Sequence, residues 1–105
     1  MTTKNDDFLR ALGLAKKAGK LICGTEQCRE AIRKHKSNFL IIAYNISDNT
    51  KKSLYNTAIF YKCEIVSPEF LSMELLSKSI GLMKLCAAVC VTDKNFVVLI
   101  RKSIQ

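Results

Sequence analysis

Short apolar runs alternating with amphipathic stretches predict an α/β fold for this chain, a three-layer α/β/α sandwich around a small, largely buried four-stranded sheet. Three observations carry it. Four strand-like segments, Lys20–Cys23, Phe39–Ala43, Cys63–Val66 and Cys86–Val91, alternate with helices of about ten to fifteen residues. Phe39–Ala43 and Cys86–Val91 are apolar throughout, as strands covered on both faces are. The 105 residues are 49% hydrophobic, enough for one domain, residues 1–105, whose core needs no staple.

Taken in order, Asp6 and Asp7 place negative charge at a helix start, and Phe8, Leu9, Leu12 and Ala15 follow at helical spacing. Gly19 ends that helix, and Lys20–Cys23 is the first strand. Gly24-Thr25 opens a second helix with Thr25 able to cap it. Its apolar stripe is Cys28, Ala31 and Ile32, while Arg29, Arg33, Lys34 and Lys36 point elsewhere. After the Phe39–Ala43 strand, Asn45–Thr50 is loop and cap chemistry. Lys51–Lys62 reads as a helix with Leu54, Ala58 and Tyr61 on one face. Ser67-Pro68-Glu69 predicts a helix start, with serine as cap and proline at the first helical position. That helix runs to about Ile80 and stops at Gly81. Leu82–Leu85 is a loop, Cys86–Val91 the last strand, and Asp93–Ile104 a final helix with Phe96, Leu99 or Ile100, and Ile104 inward.

Seventeen Lys and Arg stand against nine Asp and Glu, a formal charge of +8, in the range that marks a nucleic-acid candidate. The segment from Lys4 to Lys36 holds nine basic side chains against four acids, so +5 of the +8 falls in the first third of the chain. Asymmetry of this kind points to one face with an electrostatic task. Met1–Asp7 has no apolar run and does not read as a signal peptide. No stretch approaches the roughly 18 apolar residues of a membrane span. A cytoplasmic location and no membrane contact are therefore expected.

Catalysis finds little support. His35 is the single histidine and sits between lysines at a helix end, where it reads as solvent-facing. Asp48 and Asp93 each read as helix-start residues. No phosphate-binding glycine loop and no His-Glu-x-x-His occurs. The five cysteines, Cys23, Cys28, Cys63, Cys86 and Cys90, form no Cys-x-x-Cys pair, and they read as reduced thiols acting as small hydrophobes. Zinc bound between Cys23/Cys28 and Cys86/Cys90 would need ligand spacings that are not there. A thiol-based redox protein would rest on the cysteine count alone. No enzyme activity, cofactor or metal is expected.

Binding is where the residues converge. Lys16, Lys17 and Lys20 flank the first strand, and Gly24-Thr25-Glu26-Gln27 presents a helix N-terminus whose free N–H groups attract anions. Arg29 and Arg33 follow. These cations would contact a phosphate backbone. Glu26 and Gln27 are either ordinary helix-dipole partners or oxygens that accept from the N1–H and N2–H₂ edge of an unpaired or sheared guanine. Leu82, Met83, Lys84 and Leu85 are either core or an exposed patch beneath a splayed-out nucleotide.

Leu12-Gly13-Leu14-Ala15-Lys16-Lys17-Ala18-Gly19-Lys20-Leu21 followed by Gly24-Thr25-Glu26-Gln27 resembles the kink-turn RNA-binding ribosomal-protein family (the L-seven-Ae and L-thirty-e superfamily), in its YlxQ-type bacterial branch. The similarity continues through Leu40–Ala43, Ser47–Lys52, Ser79–Gly81 and Ala88–Asp93. It implies a mixed sheet of four strands inside the sandwich. It also implies binding to the kink-turn, a sharply bent RNA with tandem sheared G·A pairs; a monomer acting on ribosomal or another structured RNA is expected. By resemblance, Gly24 matches the family glycine of the guanine-reading segment. Glu26 stands where the family has asparagine, Gln27 where it has glutamate, and Glu30 where it has lysine. Leu82–Leu85 falls on the loop that covers an extruded base. Glutamate cannot donate as asparagine does, and glutamine offers one accepting oxygen where glutamate offers two. The alternative is a protein–protein interaction module that keeps the fold with a degraded RNA site.

Overall fold

The computed structural model describes residues 3–104; Met1 and Thr2, part of the polar N-terminal segment, and Gln105 lie outside it. The elements run α1 (Lys4–Lys17), β1 (Leu21–Cys23), α2 (Thr25–Arg33), β2 (Phe39–Ile42), α3 (Asp48–Phe60), β3 (Glu64–Val66), α4 (Met73–Ser79), β4 (Ala88–Val91) and α5 (Lys94–Ser103). The sheet order is β1-β4-β2-β3. Strand β4 is antiparallel to β1 and to β2, whereas β2 and β3 are parallel, so the sheet is mixed. A parallel pair cannot be joined by a hairpin, and α3 supplies the crossover.

Strand alternation builds two cores. Phe39 and Ile41 of β2, with Val89 and Val91 of β4, pack against Phe8 and Leu12 of α1, Leu76 of α4 and Ile100 of α5. Leu40 and Ile42, with Ala88 and Cys90, pack instead on Cys28 and Ile32 of α2 and Leu54 and Ala58 of α3. All four residues of β2 and of β4 are buried, which is why these strands read as unbroken apolar runs. Each fully buried Leu or Ile contributes roughly 1.5–3 kcal/mol. Among the described residues no helix is long and apolar enough to cross a membrane.

The helix boundaries move from those the sequence suggests, each for a local reason. Helix α1 starts ahead of the aspartates: Thr3 caps it and exchanges hydrogen bonds with Asp6 in a capping box. Helix α3 starts at Asp48 rather than Lys51, because Ser47 accepts from Thr50 N–H and is the cap. The Ser67-Pro68-Glu69 start is wrong. Pro68 begins a turn closed by Leu71 N–H on its carbonyl at 3.1 Å, which delivers Leu71, fully buried, to the core. The helix then starts at Met73 with Ser72 as cap. Asn45 completes that start from the β2–α3 loop, its Oδ1 accepting from Met73 N–H at 2.8 Å, a tertiary cap invisible to local pattern. In α5, Val97 and Ile100 are the buried pair, with Phe96 and Ile104 partly buried against them. Leu99 is exposed. Regular pairing in β4 begins at Ala88, leaving Cys86 and Ala87 to the preceding loop.

Candidate nucleic-acid interface

Helix α2 opens without a side-chain cap. Its N-cap residue is Gly24, not Thr25, which is already the first helical residue. Gly24 has φ 105°, a left-handed value that favours glycine. Its N–H donates to Ala88 O at 3.1 Å and its carbonyl accepts from Cys28 N–H at 2.9 Å, fixing the start of α2 to the start of β4. A Cβ added here would overlap Gln27 Oε1 and lie 3.1 Å from Gln27 Cδ, so Gln27 folds its amide back beside Gly24. The first-turn N–H groups of α2, with no capping side chain, remain an anion-attracting end.

The loop ahead of β4 meets this end through two thiols. Cys86 is buried and Cys23 half-buried, both belong to the core on the α1 side of the sheet, and the Cys86 thiol donates to Ala88 O at 3.2 Å. The neighbouring Cys23 thiol, with the Gly24 and Ala88 backbone and the Lys84 ammonium, draws the Cys86 thiol below the ordinary thiol range against the opposing effect of burial. Cys23 is pushed up, first by the Cys86 thiol beside it and then by burial, with the Lys16 charge pulling the other way. Lys16 and Lys84 are therefore close enough to the Cys23–Cys86 pair to bear on it from the α1 side and the loop side. All five cysteines are free thiols, and among the described residues no three His, Cys, Asp or Glu side chains are grouped as metal ligands would be.

Lys16 and Lys17 line a groove of about 650 Å³ between the end of α1 and residues 78–82, shared with Lys78 and Leu82. The apolar loop divides. Leu82 packs against the core, while Met83 and Leu85 are fully and 59% exposed, beside exposed Lys84. The structure thus brings Gly24, Lys16, Lys17, Leu82 and Lys84 to one region, with Met83 and Leu85 on its rim. Lys20 stands beside the end of α1, its N–H donating to Ala15 O at 2.9 Å, and its carbonyl accepts from Thr92 N–H at 3.0 Å, at the opposite end of β1 from Gly24, about 13 Å along the strand.

Glu26 and Gln27 are exposed on a smaller groove with Glu30 and Arg33. The arginines of α2 are engaged. Arg29 bonds Glu26 Oε1 at 2.9 Å and Thr57 Oγ1 of α3 at 3.2 Å, and Arg33 bonds Glu30 at 2.9 Å. Lys34 adds a second partner to Glu30 at 3.1 Å, and these cations hold the Glu30 carboxyl below its usual range, Lys34 most strongly.

Two residues of this region escape sequence reasoning. Ser77, buried in α4, accepts from Cys86 N–H at 2.7 Å and so anchors the end of the 82–86 loop. The signal was present as a serine on the apolar side of a helix, between Leu76 and Ile80. Lys78 joins Lys16 and Lys17 only through the packing of α1 on α4.

Fold and site together define an α/β/α single-sheet protein with a basic, glycine-opened helix start beside an exposed loop. Residues 6–99 match the Ribosomal protein L7Ae/L30e/S12e/Gadd45 family, and the chain belongs to that family. It is 34% identical to the RNA-binding protein YlxQ of Enterococcus faecium over 73 residues, covering 70% of this chain and 69% of that one, and is a YlxQ-type member. A protein of unknown function from Bacillus halodurans C superposes with a TM-score of 0.84 at 25% identity, covering 92% of this chain and 95% of the other. The Giardia lamblia 15.5kD RNA binding protein shares the fold at a TM-score of 0.76 and 10% identity, over 96% of this chain and 84% of the other.

Proposed function

We propose that this is a non-enzymatic RNA-binding protein that recognises a kink-turn or similarly bent RNA where the start of α2 meets the loop ahead of β4. The observation that carries the reading is the uncapped start of α2 at Gly24, tied to Ala88 and flanked by Lys16 and Lys84. Membership of the family, and likeness to a YlxQ described as RNA-binding, support RNA as the ligand.

In this reading the first-turn N–H groups from Thr25 onward and the lysines Lys16, Lys17 and Lys84 receive phosphates of the bent strand. Desolvated charge-assisted bonds of this kind are the stronger class. The Gln27 carboxamide accepts from the exposed edge of a sheared guanine. Glu26, already paired to Arg29, keeps less accepting capacity, and its role is to orient that arginine. Arg29 and Arg33 lend less to phosphate binding than their number suggests, since each is matched by a glutamate. Met83 and Leu85 provide an apolar surface for an extruded base. Monomeric binding in the cytoplasm, to ribosomal or another structured RNA, is part of the same proposal.

The Glu26–Arg29 and Glu30–Arg33 pairs favour a second reading. They neutralise one flank of α2, as a surface that docks a protein would allow. Titration of the protein with a kink-turn RNA, and with the same RNA after its G·A pairs are replaced by Watson–Crick pairs, decides between them. Tighter binding to the kink-turn supports the first reading. Equal affinity leaves general polyanion binding, and no affinity for either leaves the protein–protein module.

A further inference from the structure

The other end of the sheet carries a second groove, of about 650 Å³, between the C-termini of α2 and α3 and the start of α5. His35, Lys36, Lys62, Lys94 and Arg101 line it, and Asp93 is the single acid that does. The Asp93 carboxylate is occupied, accepting from Asn95 and Phe96 N–H as the cap of α5. Arg101 is paired with Glu64. Among the described residues Lys36, Lys62 and Lys94 enter no ion pair, so three exposed ammonium groups border an open groove whose one lining carboxylate offsets only part of their charge. Lys20 adds to this end, since Thr92, which lines the groove, bonds its carbonyl through both N–H and Oγ1.

The backbone singles out the same place. Helices α1 and α4 are followed by Gly19 at φ 73° and Gly81 at φ 74°, the residue that suits a left-handed helix end. Helices α2 and α3 make the corresponding turns on His35 at φ 58° and Lys62 at φ 56°, where a Cβ is sterically disfavoured. The chain thus keeps side chains at two positions where glycine fits best, and both line this groove.

Aromatic rings stand beside the cations. The Tyr61 ring meets His35 edge-on at 5.9 Å and Phe60 edge-on at 4.8 Å. Phe60 is 77% exposed, so its ring contributes little to the core. A cationic groove with an adjoining aromatic step is the pattern that binds single-stranded nucleic acid, with phosphates along the groove and bases stacked on the rings. An acidic polypeptide would meet the lysines equally well but leaves the exposed ring without a task.

We propose that this groove binds single-stranded RNA, giving the protein a second RNA contact at the end of the sheet opposite the start of α2. It uses none of the residues assigned to the kink-turn surface, and either site stands if the other fails.

The test is titration of a fluorescein-labelled oligouridylate of about 12 nucleotides, a length within reach of such grooves, at about 0.15 M salt, where the screening length is roughly 8 Å. The triple variant Lys36→Gln, Lys62→Gln, Lys94→Gln is expected to bind at least about tenfold more weakly, with a salt slope flatter by about 2. Its affinity for a blunt kink-turn duplex stays that of the wild type. Phe60→Ala weakens oligouridylate binding and leaves inorganic polyphosphate binding unchanged. Lys62→Gly raises the melting temperature, by relieving the left-handed side chain, while weakening oligouridylate binding. Wild-type affinity and slope in the triple variant would overturn the proposal. So would tighter binding of a polyglutamate peptide than of oligouridylate at this groove, which would make it a protein-docking site.

Discussion

The Gln27 carboxamide folds back beside Gly24, occupying the space that a Cβ on residue 24 would need. Glycine is required here by its φ of 105°, whereas the exposed end of Gln27 can swing away from an added Cβ at little cost. Gly24→Ala is expected to destabilise the fold by about 1–3 kcal/mol, the usual cost of a side chain held in such a conformation. In a Gln27→Ala background the same substitution costs nearly as much, because the dihedral penalty remains and the lost overlap was with a side-chain end free to move. Urea denaturation of the four proteins of this cycle measures both costs, and a much smaller cost in the Gln27→Ala background would make the overlap, and not the dihedral, the reason for glycine.

Ser77 holds the loop. Ser77→Ala leaves the buried Cys86 N–H without its acceptor, at about 1–3 kcal/mol, and frees the segment that carries Lys84. Kink-turn affinity is expected to fall in this variant although Ser77 touches no ligand. Ser77→Thr, which keeps the acceptor, restores at least part of it. Loss of stability with unchanged affinity would make Ser77 a structural residue only.

The lysines act as point charges. Lys84→Gln and Lys16→Gln each weaken kink-turn binding and the replaced duplex alike, lowering the salt slope by about 1 each. Gln27→Ala instead narrows the discrimination between the two RNAs, by about 1 kcal/mol if one hydrogen bond to a guanine edge is lost. Salt titrations read by fluorescence separate the two behaviours.

Burial pushes the Cys63 thiol up to about 12, with the Cys90 and Glu64 charges adding to it. Its folded value lies above its unfolded value of 9.0, so the stability it contributes is complete below pH 9 and is lost as pH rises towards 12. Over that window the unfolded chain releases a proton that the folded chain retains, and stability falls by on the order of 1 kcal/mol per pH unit. Unfolding free energies at pH 8 and pH 10 should therefore differ by roughly 1 kcal/mol more in the wild type than in Cys63→Ala. The same pH dependence in both proteins would contradict this assignment.

Much of the fold was legible in the sequence because local chemistry decided it. The apolar runs at Phe39–Ile42 and Ala88–Val91 are buried on both faces, and Ser47 and Asp93 lie where helix-cap chemistry puts them. The start of α4 was not legible. Ser67-Pro68-Glu69 carries the stronger local signal, and the start moved to Ser72 because Leu71 enters the core and Asn45 arrives from a distant loop. The site divides in the same way. Gly24 and the lysines of α1 stand out in one dimension. That Lys20 belongs to the far end of β1, that Arg29 is held by Glu26 and Thr57, and that Ser77 tethers the loop all depend on packing across elements.

The most direct measurement is amide chemical-shift mapping of the ¹⁵N-labelled protein with a blunt-ended kink-turn RNA. The proposed mode predicts the largest shifts at Gly24–Gln27 and at Met83–Ala87, with the amides of Lys36, Lys62 and Lys94 nearly still. Shifts gathered at those three lysines, with Gly24–Gln27 unmoved, would contradict it.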